Sequence, residues 1–191
     1  MKIGISGACC TGKTALTQAL SKKLGLPLIE EQARVAAREF GFENPKVLKE
    51  QPELGRQFQW RCLELQITAE DSQPGGFISD RTVLDNAVYW MKWHSRGAKS
   101  EENMRFYRTV TDQVRKYDLI VYVPLEISLV ANGFKTSNRA YREEMDFLLG
   151  LFLTSYVESF IMVAGDLDTR VKQVEKFLGT ELRSLICHDR R

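Results

Sequence analysis

Gly7, Gly12, Lys13 and Thr14 fall in the stretch GACCTGKT, with four residues between the two glycines. This is the G-x-x-x-x-G-K-[ST] spacing, in which successive backbone N–H groups form a concave anion site. Gly7, Ala8, Cys9, Cys10, Thr11 and Gly12 would curl around phosphate oxygens, the glycines allowing the unusual backbone angles this needs. Lys13 would bring a compact positive charge to the β- and γ-phosphates, and the Thr14 hydroxyl would ligate Mg²⁺. A helix opening at Lys13 and running through Ala15 would add its N-terminal dipole and free N–H groups. The residues therefore predict a site for a nucleoside triphosphate and its Mg²⁺.

Further charged residues stand where apolar segments end. Asp80 closes the run FIS and suits a carboxylate that meets Mg²⁺ directly or through water, or else an N-cap for the following helix. Glu31 precedes Arg34 by three residues, so a helical start places both on one side. Glu31 could take the proton of an attacking hydroxyl as a general base, or serve as an ion-pair partner. Arg139 and Arg142, also three apart, could neutralise charge on a transferring phosphoryl group. The alternative for Arg142 is an i,i+4 pair with Asp146. Tyr89 could line a nucleobase pocket, whereas Trp60, Trp90 and Trp93 read as core. His94 and His188 receive no role. Cys9, Cys10, Cys62 and Cys187 form no C-x-x-C pair, which argues against zinc. Cys9 and Cys10 read as small loop fillers; the sharper expectation is that the N–H-rich loop lowers a thiol pKa and makes the site oxidation-sensitive.

The elements that must carry these groups alternate. Residues 2–6 (KIGIS) read as a buried strand, followed by a helix to Leu24 with Leu16, Leu20 and Leu24 on one face. PLIEE reads as a second strand ending at Glu30-Glu31, and 32–40 as a helix. The polar stretch 41–53 reads as a mobile connection before a helix from Leu54 to Asp71. FISD is a third strand, followed by helices over about 82–94 and to about Lys116. DLIVYVPL (118–125) is the clearest strand, β-branched throughout as in a sheet buried on both faces. The segment after it opens as a loop and turns helical near Ala140. FIMVA (160–164) is a fifth strand, and a helix from Arg170 to Leu185 closes the chain. Strands alternating with helices predict a parallel sheet covered on both faces, in which ligands gather at the carboxyl ends of the strands. One domain over 1–191 is expected.

A chain of 191 residues with 43% hydrophobic and 27% charged residues fits an ordinary globular domain. The net charge of +2 disfavours a dedicated polyanion binder. No apolar run approaches the ~20 residues that span a bilayer, and the first residues enter a strand, so a cytoplasmic location is expected.

Taken in order, GISGACCTGKT, LIEEQAR, FISDRTVLDNAVYW and NGFKTSNRAYREEMD resemble the motifs of P-loop nucleoside and nucleotide kinases, in particular the small kinases related to ribosylnicotinamide kinase and thymidylate kinase. The resemblance implies a three-layer α/β/α fold with a five-stranded parallel sheet, a short lid near 130–145, and Mg-ATP as donor. It implies that Asp80 works near Mg²⁺ or the acceptor hydroxyl and that Arg81 contacts the acceptor or phosphates. Glu31 and Arg34 match an E-x-x-R element of the acceptor site, and Asp85 a second acid that contacts substrate. Arg139 and Arg142 match lid arginines, and Gly165 opens the loop around the adenine ring. Thr82 stands where Ser or Tyr is commoner. The implied reaction is phosphoryl transfer to a nucleoside or nucleoside monophosphate. A polynucleotide kinase would need a basic groove, for which the sequence offers scattered clusters such as Arg105, Arg108, Arg115 and Lys116, which read more easily as a solvated helix face. A nucleotide-dependent regulatory ATPase would have no use for an acceptor pocket. A homodimer stays open.

Overall fold

The computed structural model describes residues 1–41, 48, 51–126 and 139–188, the last eight by backbone alone. A central strand β1 (Lys2–Ser6) is flanked by β3 (Phe77–Asp80) and β4 (Leu119–Tyr122). The short strands β2 (Leu28–Ile29) and β5 (Ile161–Met162) close the edges. All four pairings are parallel, in the order β2-β3-β1-β4-β5. The connections are α1 (Lys13–Leu24), α2 (Gln32–Glu39), α3 (Pro52–Asp71), α4 (Val83–Trp93), α5 (Ser100–Val114) and α6 (Arg139–Tyr156), and α7 (Leu167–His188) follows β5.

Side chains alternate across a strand, and the sheet obeys that period of two. Leu119, Val121 and Val123 pack with Ile3, Ile5, Ile78, Leu16, Leu20 and Val174, beneath α1 and α7. Ile120 and Tyr122 point the other way, into a cluster built by α4, α5 and α6 around Trp90, Phe106 and Leu149. Trp90 and Phe106 stack with ring centroids 4.3 Å apart. The same parity directs the polar residues of β3. Asp80 shares the face of Ile78 and meets α1, whereas Ser79 shares the face of Phe77 and meets α3.

The elements begin and end close to where the sequence put them. β2 stops at Ile29, so Glu30 and Glu31 lie beyond the strand and Glu31 takes the N-cap position of α2. β4 and β5 are shorter than the expected 118–125 and 160–164, because a strand ends where its neighbour no longer pairs with it. α7 begins at Leu167, three residues before the expected start. Of the expected mobile connection, residues 42–47, 49 and 50 lie outside the described residues, as do 127–138 with most of the lid. Residues 139–145 are the first two turns of α6. Trp60 and Trp90 belong to the core as expected, while Trp93 is 41% exposed.

Candidate active site

The residues singled out from the sequence converge at the carboxyl ends of β1 and β3. Gly7 (φ +154°), Cys10 (φ +61°) and Gly12 (φ +89°) turn the loop after β1. A Cβ on Gly7 would sit 2.3 Å from the carbonyl oxygen of Val123, so no side chain fits where the loop leaves the sheet. Gly12 caps α1 in the left-handed region, and Lys13 is the first helical residue. The Lys13 ammonium turns back into the loop and donates to the Ala8 carbonyl at 2.5 Å, with the Thr11 hydroxyl at 3.5 Å. It is 5% exposed. Burial, reinforced by the Arg81 charge, lowers its pKa to about 8. Gly12, Thr14 and Ala15 line the open mouth of the loop.

Thr14 donates to Asp80 Oδ2 at 2.6 Å. Of the two readings of Asp80, the structure removes the cap. The N-cap of α4 is Thr82, whose hydroxyl accepts from Leu84 N while Asp85 accepts from the Thr82 backbone N–H, a reciprocal capping box. Asp80 instead faces the phosphate loop. Burial raises its pKa, the Thr14 hydroxyl opposing and the Glu31 charge adding to the rise. A hydroxyl and a carboxylate this close, at the mouth of an anion-binding loop, are hard oxygen ligands suited to Mg²⁺.

On the other side of Asp80 lies a cluster of opposite charges around Arg81. Its backbone has φ +91°, and with Cys10 it is one of two non-glycine residues with positive φ among the described residues. Such a conformation costs about 1–3 kcal/mol and persists only where the surroundings fix it. Here they do. Arg81 N donates to Ile5 O at 3.0 Å, Nε to Glu31 at 2.5 Å and a terminal nitrogen to Asp85 at 3.0 Å. The guanidinium lies 5.6 Å from the centre of the Tyr89 ring. Glu31 accepts from Arg34 as well, at 2.9 Å. Burial acts to raise the Glu31 pKa, but the two arginines outweigh it and hold the carboxyl below its ordinary range. Of the two readings of Glu31, the ion-pair partner is the one the contacts show, with Arg34 and Arg81.

Asp85 departs from expectation. It is 2% exposed, and its oxygens accept from Ser6 Oγ, Thr82 N, Thr82 Oγ1 and Arg81. These bonds tie it to the end of β1, the start of α4 and the Arg81 guanidinium. The two arginines of α6 also part company. Arg142 is 6% exposed and donates through Nε to Cys9 O at 3.1 Å, so the i,i+4 pairing with Asp146 is replaced by a contact on the loop. Asp146 instead accepts from Leu125 N. Arg139 points outward, 78% exposed, and pairs with Glu143. The thiol expectation reverses at Cys9: burial, with Cys10 beside it, raises its pKa despite Arg142 and Lys13 nearby.

Sequence reasoning placed Glu126 at a strand end and Arg170 at the end of the segment that Gly165 opens without giving either side chain a role, and it passed over Tyr141. Arg170 donates to Thr11 O at 2.6 Å and to Glu126 at 2.8 Å, and Glu126 also accepts from Gly165 N at 2.7 Å. The loop opened by Gly165 (φ +97°) is thereby tied to the phosphate loop. One signal was present: a cation in the first turn of a helix opposes the dipole and needs a partner elsewhere. Tyr141 lies against Tyr89, bringing the start of α6 to the Arg81 cluster, and no spacing announces that contact.

Comparisons with known proteins agree with this geometry. Residues 2–170 match the family model described as AAA domain. The chain belongs to that AAA domain family. The AAA domain here is also 24% identical over 178 residues to the deoxyguanosine kinase of Bacillus subtilis (strain 168), covering 91% of this chain and 80% of that one. Among solved structures, the AAA domain superposes on deoxyadenosine kinase from M. mycoides with dCMP and dCDP bound at a TM-score of 0.70, with 19% identity over 94% of this chain and all of that one. On NadR in complex with NR the TM-score is 0.63 and the identity 18%, over 86% of this chain but only 45% of the NadR chain. At these identities the structures establish a shared fold, the five-stranded parallel α/β sheet. Among the described residues, no helix is long and apolar enough to cross a membrane.

Proposed function

We propose that this AAA domain is a kinase that transfers the γ-phosphoryl group of ATP to a nucleoside or nucleoside monophosphate. The observation that carries the reading is the adjacency of two unlike half-sites across β1 and β3. One is a triphosphate cradle of Lys13, Thr14 and Asp80; the other is the Glu31–Arg34–Arg81 cluster, which a nucleotide switch would not need. Thr14 and Asp80 would hold Mg²⁺, which neutralises charge on the β- and γ-phosphates when bound. Lys13 and Arg142 would meet the phosphoryl oxygens, a task of positioning and charge neutralisation. Glu31, ionised and oriented by two arginines, would accept the proton of the acceptor hydroxyl, and Tyr89 and Tyr141 would wall the acceptor pocket. Gly165 and the segment after it would face the adenine. Arg139 has no part in the described site.

The named relatives are a deoxyguanosine kinase, a deoxyadenosine kinase with dCMP and dCDP bound, and NadR in complex with NR, which supports a nucleoside acceptor over a polynucleotide. So does the fate of the basic residues on α5: Arg105 sits over the Trp60 ring at 4.6 Å and, beyond the helix, Lys116 pairs with Asp71. The test is Mg²⁺-dependent ADP formation against ribo- and deoxynucleosides, their monophosphates, ribosylnicotinamide and a 5′-hydroxyl oligonucleotide, with Lys13→Ala as blank. ADP release that depends on one or two small acceptors is the expected result. Release with the oligonucleotide alone, or without any acceptor, rejects the proposal.

A further inference from the structure

A second polar cluster lies behind the site, on the side of β3 away from Asp80. Glu70, in the last turn of α3, is 2% exposed and has no ion-pair partner among the described residues. The nearby Lys116 is taken by Asp71 at 2.8 Å. Glu70 is met instead by neutral donors. Gln66 Nε2 reaches Oε1 at 2.6 Å, Gln113 Nε2 reaches Oε2 at 2.7 Å, and the Tyr117 hydroxyl also donates to Oε1. Gln66 and Gln113 are 1% and 3% exposed.

A carboxylate in such a place is expensive, and an apolar side chain of similar volume would serve packing alone at least as well. The cluster's outward connections show what it does. Gln66 Nε2 also lies 2.7 Å from Ser79 Oγ, the residue before Asp80. The Tyr117 hydroxyl accepts from Val83 N at 3.2 Å, the residue after Thr82. The Tyr117 ring packs against Phe77 of β3, centroids 6.1 Å apart, and lies 3.1 Å from where a Gly4 Cβ would project. Thus the last residue before Asp80-Arg81-Thr82 and the first after it are both tied to one buried carboxylate. Between the two ties the chain makes its left-handed turn at Arg81.

We propose that Glu70 and Tyr117 are positioning residues for the catalytic turn Asp80-Arg81-Thr82, acting through Ser79 and Val83 and touching no substrate. The proposal rests on the kinase reading for its kinetic consequence but not for its structural one. Gln113 and Gln66 orient the carboxylate, the carboxylate orients the Tyr117 hydroxyl, and that hydroxyl sets where α4 begins relative to β3. The Arg81 guanidinium is then delivered to Glu31 and Asp85.

The test uses the full chain. Tyr117→Phe removes one oxygen and keeps the ring, and Glu70→Gln removes the charge at constant shape. The Nε–Hε correlation of Arg81 in the ligand-free protein, assigned by its disappearance in Arg81→Lys, reports the turn without any turnover. Val174→Ala, in the opposite core cluster, controls for general loss of stability. In the Tyr117 and Glu70 variants the Arg81 signal should move or broaden. kcat should fall about fivefold, with a raised KM for the acceptor and an unchanged KM for ATP, as expected when one oriented hydrogen bond is lost. Val174→Ala should lower Tm while leaving the signal and kcat in place. An unmoved Arg81 signal in folded Tyr117→Phe and Glu70→Gln overturns the proposal, as does an equal response in Val174→Ala. If Glu70→Gln does not fold, Ser79→Ala probes the other tie with the same readout. A wild-type protein inactive on every acceptor refutes the kinase reading, and the Arg81 signal still decides this one.

Discussion

At the scale of single residues, the groups with functional chemistry are recognisable by type, and what the structure adds is their partners. Lys13 carries a pKa near 8, below its ordinary 10.5, because burial and Arg81 disfavour its charge. The native state therefore binds fewer protons than the unfolded chain between about pH 8 and 10.5, and this residue makes stability rise with pH across that window. A bound triphosphate should reverse the preference and restore the proton. Calorimetric titration with Mg-ATP at pH 8.5 in buffers of different ionisation enthalpy should show net proton uptake, and Lys13→Met should abolish it. Replacing Glu31 by Gln keeps the shape but removes the proposed proton acceptor, and should lower kcat about 100-fold with little change in ATP affinity. Arg142→Ala should cost kcat about 100-fold as well, whereas Arg139→Ala should leave it within about twofold, its partner being an exposed glutamate. Steady-state kinetics on the two single variants checks both claims. Equal losses would mean that the exposed arginine acts in a conformation different from this one.

Elements act through their first turns. Lys13 opens α1, Arg142 stands in the first turn of α6 and Arg170 in that of α7, each at the positive end of its helix. The sequence revealed the first of these because the motif names it, and the second through its pairing with Arg139. The third stood first in the expected helix, but no spacing names the Thr11 carbonyl and the Glu126 carboxylate that it meets. The capping box at Thr82 and Asp85 was misassigned by two residues, with Asp80 as the candidate cap. Boundaries fail in this way because propensity changes gradually along the chain while a hydrogen bond is either made or not. Thr82 is fully buried, so Thr82→Ala should cost about 1–2 kcal/mol in urea unfolding and, by loosening Arg81, raise the acceptor KM. A stability loss without a kinetic effect would show that the cap and the guanidinium are independent.

For the whole molecule, the parallel sheet and both covering layers were legible from the alternation of apolar runs with helical segments. β4 in particular reads as a doubly buried strand and is one. What could not be read was which strand ends become neighbours: Glu31 and Arg81 are 50 positions apart, and only the order β2-β3-β1 brings them together. The core on the α4–α6 side hangs on the stacked Trp90 and Phe106, and Trp90→Ala should remove about 3–5 kcal/mol, a large part of the ~5–15 kcal/mol that holds a domain of this size. Thermal unfolding would register it as a marked drop in Tm.

Three loop carbonyls, those of Ala8, Cys9 and Thr11, are held by Lys13, Arg142 and Arg170, cations that come from three helix starts. Positive ends and positive side chains crowded round one loop are an electrostatically frustrated arrangement, tolerated because each cation borrows a backbone oxygen. Any polyanion of the right size should relieve that frustration. Inorganic tripolyphosphate alone, with neither base nor sugar, should then raise Tm by several degrees and should do so less as salt is added.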